Sequence, residues 1–143
     1  MRYLNVAMSQ PSAPFQWTIV EGEQPYVRTV TDLGRPPTPA ERVAFGREVV
    51  NVQKAWQERY PGRPSRVMVV LKTAKLAYDD AQMRNSLEIV KLLEGAQVER
   101  MAFVAPEHAT LRMQMNRMLR EAHRADVRWF TGEPEAIAFL RGK

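Results

Sequence analysis

The chain has 143 residues, 45% of them hydrophobic and 26% charged, which is ordinary for a globular protein large enough to bury its own core. It contains no cysteine, and this excludes disulfides, thiolate metal sites and cysteine nucleophiles. The formal net charge of +5 is compatible with nucleic acid or anionic lipid as a partner, so the positions of the arginines matter more than their number.

The N-terminal stretch, MRYLNVAMSQPSAP, does not resemble a targeting segment. Its apolar run, YLNVAM, has six residues, whereas a signal peptide has an apolar core of about 7–15 residues and a membrane span needs about 20. We expect residues 1–14 to form an arm or a short strand. Together with the absence of cysteine, which fits a reducing compartment, this predicts one soluble, cytoplasmic domain over residues 1–143.

Two short segments rich in β-branched and aromatic residues predict an antiparallel hairpin. They are FQWTIV (residues 15–20) and PYVRTV (residues 25–30). The intervening EGEQ places Gly22 where the turn requires unusual backbone dihedrals. The segment DLGRPPTPAE then breaks the chain, because its glycine and first prolines do not fit inside a helix or strand.

A long first helix is predicted to begin at Thr38. The Thr38 side chain can accept a hydrogen bond from the amide of Glu41, Glu41 can reach back to Thr38, and Pro39 suits the first helical position. Apolar residues then recur every three or four positions, so one face of the helix is expected to be buried. These residues are Phe45, Val49, Val52, Trp56 and Tyr60. The sequence YPGRP ends the helix.

The rest of the chain alternates strands and helices. Three strands are predicted from apolar or aromatic runs: VMVVL (67–71), VERMAFVA (98–105) and DVRWF (126–130). VMVVL is apolar throughout, which is typical of a central strand covered on both faces. Three helices are predicted between and after these strands: one over about residues 80–94, one opened by Pro106, and a short one at EPEAIAFL (133–140). This order predicts an α/β fold with a mixed, mostly parallel sheet of about five strands, an antiparallel N-terminal hairpin and about four helices.

Several of these segments resemble the SpoIIAA-like branch of the STAS superfamily. The N-terminal half shares a hairpin, a helix introduced by Gly-x-x-x-Thr, an apolar strand, and a carboxylate at the next loop-to-helix junction. In the C-terminal half, the family has a strand ending in Val-Pro or Gly-Pro, a strand ending in Phe, and a short final helix. The corresponding positions here are Gly34 to Thr38, Asp79, Ala105-Pro106, Phe130 and EAIAFL at 135–140. The resemblance covers about residues 15–140 and implies a STAS/SpoIIAA-like fold.

The resemblance also implies a function. Classical STAS regulators carry Asp-Ser at the start of the helix after the central strand, and a partner kinase phosphorylates that Ser. Here Asp79 keeps the carboxylate and Asp80 stands at the Ser position; a carboxylate mimics only part of the charge of phosphoserine. The resemblance therefore implies a non-enzymatic binding or regulatory module without the phosphoswitch. As an alternative, the likeness of this branch to lipid-transfer domains implies a carrier of a small apolar ligand or lipid.

The residues alone explain Asp79 and Asp80 as the start of a helix. An aspartate at this position accepts a hydrogen bond from a first-turn amide, and its charge complements the helix dipole. Gln82 follows Asp79 at the spacing of a capping box. A partner-binding surface at this pair stays open as an alternative. A metal site is disfavoured, because no third oxygen or histidine ligand lies nearby in the sequence.

No motif predicts a catalytic site. His108 and His123 lie at opposite ends of one predicted helix, so they cannot share a metal ion. Neither a Gly-x-Gly-x-x-Gly nor a Gly-Lys-Ser/Thr loop occurs. Ser65 and Ser86 lack the context of a nucleophile elbow. We therefore predict no metal, no cofactor and no enzymatic activity.

The stretch LRMQMNRMLREAHR (residues 111–124) predicts an amphipathic helix with a basic face formed by Arg117, Arg120 and Arg124. This face is either merely solvated or binds an acidic protein partner or a lipid headgroup. Nucleic acid is disfavoured, because no aromatic residues interleave the arginines for base stacking. Methionines on inward faces either pack in the core or line a deformable pocket for an apolar small molecule or lipid. They are Met83, Met101, Met115 and Met118. The oligomeric state stays open.

Overall fold

The computed structural model describes residues 7–31, 38–71, 97–104 and 126–142, together with Met113 and Arg117. These ranges contain five strands and two helices. In chain order they are β1 (Gln16–Val20), β2 (Tyr26–Thr31), α1 (Pro39–Arg59), β3 (Ser65–Leu71), β4 (Val98–Val104), β5 (Asp126–Phe130) and α2 (Glu133–Arg141).

The strands form one mixed sheet in the order β1-β2-β3-β4-β5. β1 pairs with β2 in antiparallel fashion, and every later pair is parallel. The predicted α/β class, strand number and N-terminal hairpin are confirmed. The described residues contain two helices rather than about four, because the predicted second helix and nearly all of the third fall outside the described ranges. Met113 and Arg117, from the third predicted helix, are helical.

The N-terminal arm pairs with the outer edge of β1. The amide of Ser9 donates to the carbonyl of Trp17, and the amide of Ile19 donates to the carbonyl of Ala7, both at 2.9 Å. The Ser9 hydroxyl also accepts from the amide of Trp17 at 3.0 Å. These bonds satisfy backbone groups that an edge strand would otherwise expose.

The first helix begins with the predicted capping box. The Glu41 amide donates to the Thr38 hydroxyl at 3.2 Å, and the Thr38 amide donates to the Glu41 carboxylate at 2.9 Å. At the other end, the Tyr60 amide donates to the carbonyl of Trp56 at 2.7 Å, and Gly62 adopts a φ of +74° in the following turn. Both boundaries therefore follow from hydrogen bonds between residues close in the sequence.

The sheet buries a separate apolar cluster on each face. Because side chains alternate along a strand, Val67 and Val69 of β3 face α1, whereas Met68 and Val70 face α2. The α1 cluster includes every apolar residue predicted for the inner face of that helix, with Tyr60 partly buried at its border. The prediction that VMVVL is a central strand covered on both faces is confirmed.

Candidate functional site

Most residues of the predicted sites lie outside the described ranges. This holds for the helix-start pair and for most of the basic face and the methionine set: Asp79, Asp80, Met83, Met115, Met118, Arg120 and Arg124. The roles of these residues as a cap, a switch position, a partner surface or a pocket lining stay predictions. Met101 and Arg117 are described.

Met101 is fully buried in the cluster between α1 and the sheet. A cavity of about 20 Å³ lies in the same layer, lined in part by Val52, Trp56 and Val98. It has room for one water molecule, whereas ligand pockets measure roughly 300–1,000 Å³. This cavity therefore does not hold an apolar cargo. The predicted pocket beneath the third helix is not tested, because that helix lies largely outside the described residues.

A buried carboxylate on α1 was not predicted from the sequence. Glu48 is 8% exposed and lies among the apolar residues on the inner face of the helix. The Trp17 indole Nε1 donates to its Oε2 at 2.6 Å, and the Asn51 amide donates to its Oε1 at 2.9 Å. Each oxygen thus accepts a hydrogen bond, and we assign Glu48 a structural role that joins α1 to β1. The available signal was a charged residue at an inward position of the helical period.

Arginines on the central strands hold the C-terminal end of α2. Arg66 Nη1 donates to the carbonyls of Leu140 and Gly142, both at 2.6 Å, and Arg100 Nη1 donates to those of Phe139 and Gly142, both at 2.8 Å. These carbonyls lie at the C-terminal end of α2, where carbonyls lack the amide partners of a helix interior and carry the negative end of the helix dipole. Both guanidinium groups therefore act in the fold.

An ion pair holds the other end of α2. Arg28 on β2 binds the Glu133 carboxylate through two bonds, Nε–Oε1 at 2.7 Å and Nη2–Oε2 at 3.0 Å. The hydrogen bonds from Arg28 lower the pKa of Glu133, and those to Glu133 raise the pKa of Arg28. Glu133 also lies in the first turn of α2, where a negative charge is favourable.

A third set of contacts joins the end of α1 to the hairpin. The Tyr60 hydroxyl donates to Glu21 at 3.0 Å, and the same carboxylate forms an ion pair with Arg59. Burial raises the pKa of Tyr60, and its hydrogen bond to Glu21 adds to this shift. Arg63 extends the contact by donating to Gln24 at 2.9 Å. These polar residues connect the end of α1 to the β1–β2 hairpin.

Four further cations of the described ranges face solvent. Within these ranges their side chains form no hydrogen bond or ion pair. They are Arg42, Arg47 and Lys54 on the outer face of α1, and Arg117, which is helical and exposed as expected for a solvated basic face. These four cations therefore place exposed positive charge on helix surfaces.

The described ranges contain neither a metal-binding cluster nor a membrane-spanning helix. No group of three or more His, Asp or Glu side chains there is arranged to hold a metal ion. None of the helices found in those ranges has the length and apolar character needed to cross a bilayer.

Comparisons with protein-family models, curated proteins and solved structures gave no match. The STAS resemblance therefore stays a prediction based on the residues that carry it.

Proposed function

We propose that this chain is a non-enzymatic, STAS-like binding or regulatory module whose partner presents an acidic surface. The observation that carries the proposal is the division of the cations into two groups. Arg66 and Arg100, on the central strands, are held by carbonyls and a carboxylate of the fold. Arg47 on α1 and Arg117 in the third predicted helix face solvent and are available to a partner.

The sheet topology supports the STAS-like part of the proposal. An antiparallel hairpin leads into the parallel strands, and the apolar strand β3 follows the first helix. These are features that the resemblance implies. At the position where classical members carry the phosphorylated Ser, Asp80 stands in this chain. Binding is then not switched by phosphorylation at that residue.

The basic face of the third predicted helix provides the test. Changing Arg117, Arg120 and Arg124 together to Glu should leave the fold intact and abolish binding to the acidic partner. Changing the same three residues to Lys preserves the charge and is the matched control, for which binding should survive. The partner would be isolated by pull-down, and association rates would be measured by biolayer interferometry over a salt series.

Electrostatic steering predicts a specific salt response. The association rate of the wild type should fall with ionic strength, since charges are screened over about 8 Å at physiological salt. If the triple Glu variant folds and binds as the wild type does, the proposed surface is wrong. If native mass spectrometry of the purified protein shows a retained apolar molecule that fluorescent fatty acid displaces, the carrier alternative replaces the binding module.

A further inference from the structure

The outer face of α1 exposes two valines at helical spacing. Val43 is 56% exposed and Val50 is 47% exposed. Their separation of seven residues places them two turns apart on the same side of the helix. Single exposed apolar residues are common on protein surfaces. The two valines therefore indicate a binding surface only together with the residues that lie between them.

Gly46 lies between the two valines on the same side of α1. It follows Val43 by three residues and precedes Val50 by four, which are the spacings of neighbours on a helix surface. Glycine inside a helix is unfavourable relative to alanine. A Cβ added at Gly46 would meet nothing within 4 Å. Packing among the described residues therefore does not require the glycine, whereas a second helix crossing at this point would approach more closely because of it.

Two cations flank this apolar strip. Arg47 lies between the valines on the adjoining edge of the face, and Lys54 follows Val50 by one turn. Both are exposed, and neither forms an ion pair within the described ranges. The face therefore combines apolar contacts, a site of close approach and unneutralised positive charge.

We propose that an acidic amphipathic helix of a partner protein docks across Gly46. Its apolar side covers Val43 and Val50, and its carboxylates bind Arg47 and Lys54. A second copy of α1 is a poorer occupant, because two identical faces crossing at Gly46 would bring their Arg47 side chains together. The proposal deepens the proposed binding function and rests on it. It places the contact on a surface separate from the arginines of the third predicted helix.

A pair of synthetic peptides tests the charge preference of this face. The first is an amphipathic helix with leucines on one side and glutamates beside them, and the second carries lysine at every glutamate position. Each is titrated into the full ¹⁵N-labelled chain, and amide shifts are followed by NMR. We expect the acidic peptide to shift amides of the outer face of α1 and the basic peptide to bind at least tenfold more weakly.

Three variants locate the contact. Gly46→Gln places a neutral side chain in open space. It should lower the affinity for the acidic peptide at least tenfold without unfolding the chain. The double change Arg47→Glu with Lys54→Glu should reverse the preference and select the basic peptide. Ala138→Glu, at an exposed position of α2 on the other side of the sheet, is the control and should leave binding unchanged.

Several outcomes would overturn the proposal. They are equal binding of both peptides, no shifts up to about 1 mM acidic peptide, shifts centred away from α1, and unchanged affinity of Gly46→Gln. A concentration-dependent dimer that Gly46→Gln dissociates would identify a second copy as the occupant and also refute it. The triple Glu variant at Arg117, Arg120 and Arg124 should still bind the acidic peptide. The hypothesis of binding at the basic face and the hypothesis of docking on α1 can therefore be refuted separately.

Discussion

Gly46 and Gly62 form a matched pair for testing how backbone conformation governs stability. At both positions an added Cβ meets nothing within 4 Å outside the adjacent residues, so neither alanine clashes with packed neighbours. The positions differ in backbone conformation, since Gly46 lies inside α1 and Gly62 has a φ of +74°. Any difference between the two alanine variants therefore comes from the backbone.

The two substitutions should change stability in opposite directions. Gly46→Ala should stabilise the protein by about 0.5–1 kcal/mol, because alanine loses less backbone freedom on folding and favours the helix. Gly62→Ala should destabilise it by about 1–2 kcal/mol, because the left-handed conformation brings Cβ close to a carbonyl oxygen. The free energies of unfolding should be measured by urea denaturation of the full chain, with the slope of each transition compared to that of the wild type.

The sign of each change is the decisive result. A loss of stability in Gly46→Ala would show that the outer face of α1 is packed, which would also remove the basis for docking there. A Gly62→Ala variant as stable as the wild type would show that the turn after α1 does not need a left-handed residue. A changed slope in either variant would mean that the denatured state has altered and that the comparison fails.

Two further predictions concern buried and partly buried polar contacts. Glu48→Leu should cost about 1–3 kcal/mol, because it leaves the Trp17 indole N–H buried without an acceptor. Adding Trp17→Phe should then cost less than it does in the wild type, and additive losses in a double-mutant cycle would contradict the contact. Glu133→Gln should cost up to about 1 kcal/mol at neutral pH, a small value because both partners are about one-third exposed. Since Arg28 lowers the pKa of Glu133, this stabilisation is present above the usual carboxyl pKa and is lost as pH falls through the folded-state value. A difference between Glu133→Gln and wild type that persists unchanged at pH 2 would refute the pairing.

Local patterns in the sequence predicted elements whose ends depend on residues close together. The Thr38–Glu41 capping box joins residues three positions apart, and both of its hydrogen bonds are present. The alternation of VMVVL likewise follows from the two-residue period of a strand, which puts Val67 and Met68 on opposite faces wherever the strand pairs. Such features depend little on the rest of the chain.

The candidate surfaces were predicted only in part. Arg117 was expected on a solvated basic face, and it is exposed. Val43 and Val50 were not singled out, because an apolar residue in a helix is assigned to the core until the direction of the buried face is known. Gly46 gave no signal either, since its open surroundings become visible only when the neighbouring elements are in place.

The amino-acid sequence by itself determined the α/β class, the strands, the hairpin and the first helix of this protein, because hydrogen bonding and side-chain period act over a few residues. Only the tertiary structure decided which charged groups serve the fold and which face solvent. Glu48 meets Trp17 across 31 positions, and Arg28 meets Glu133 across 105. No local rule selects such partners, because they depend on how distant elements pack on the two faces of the sheet.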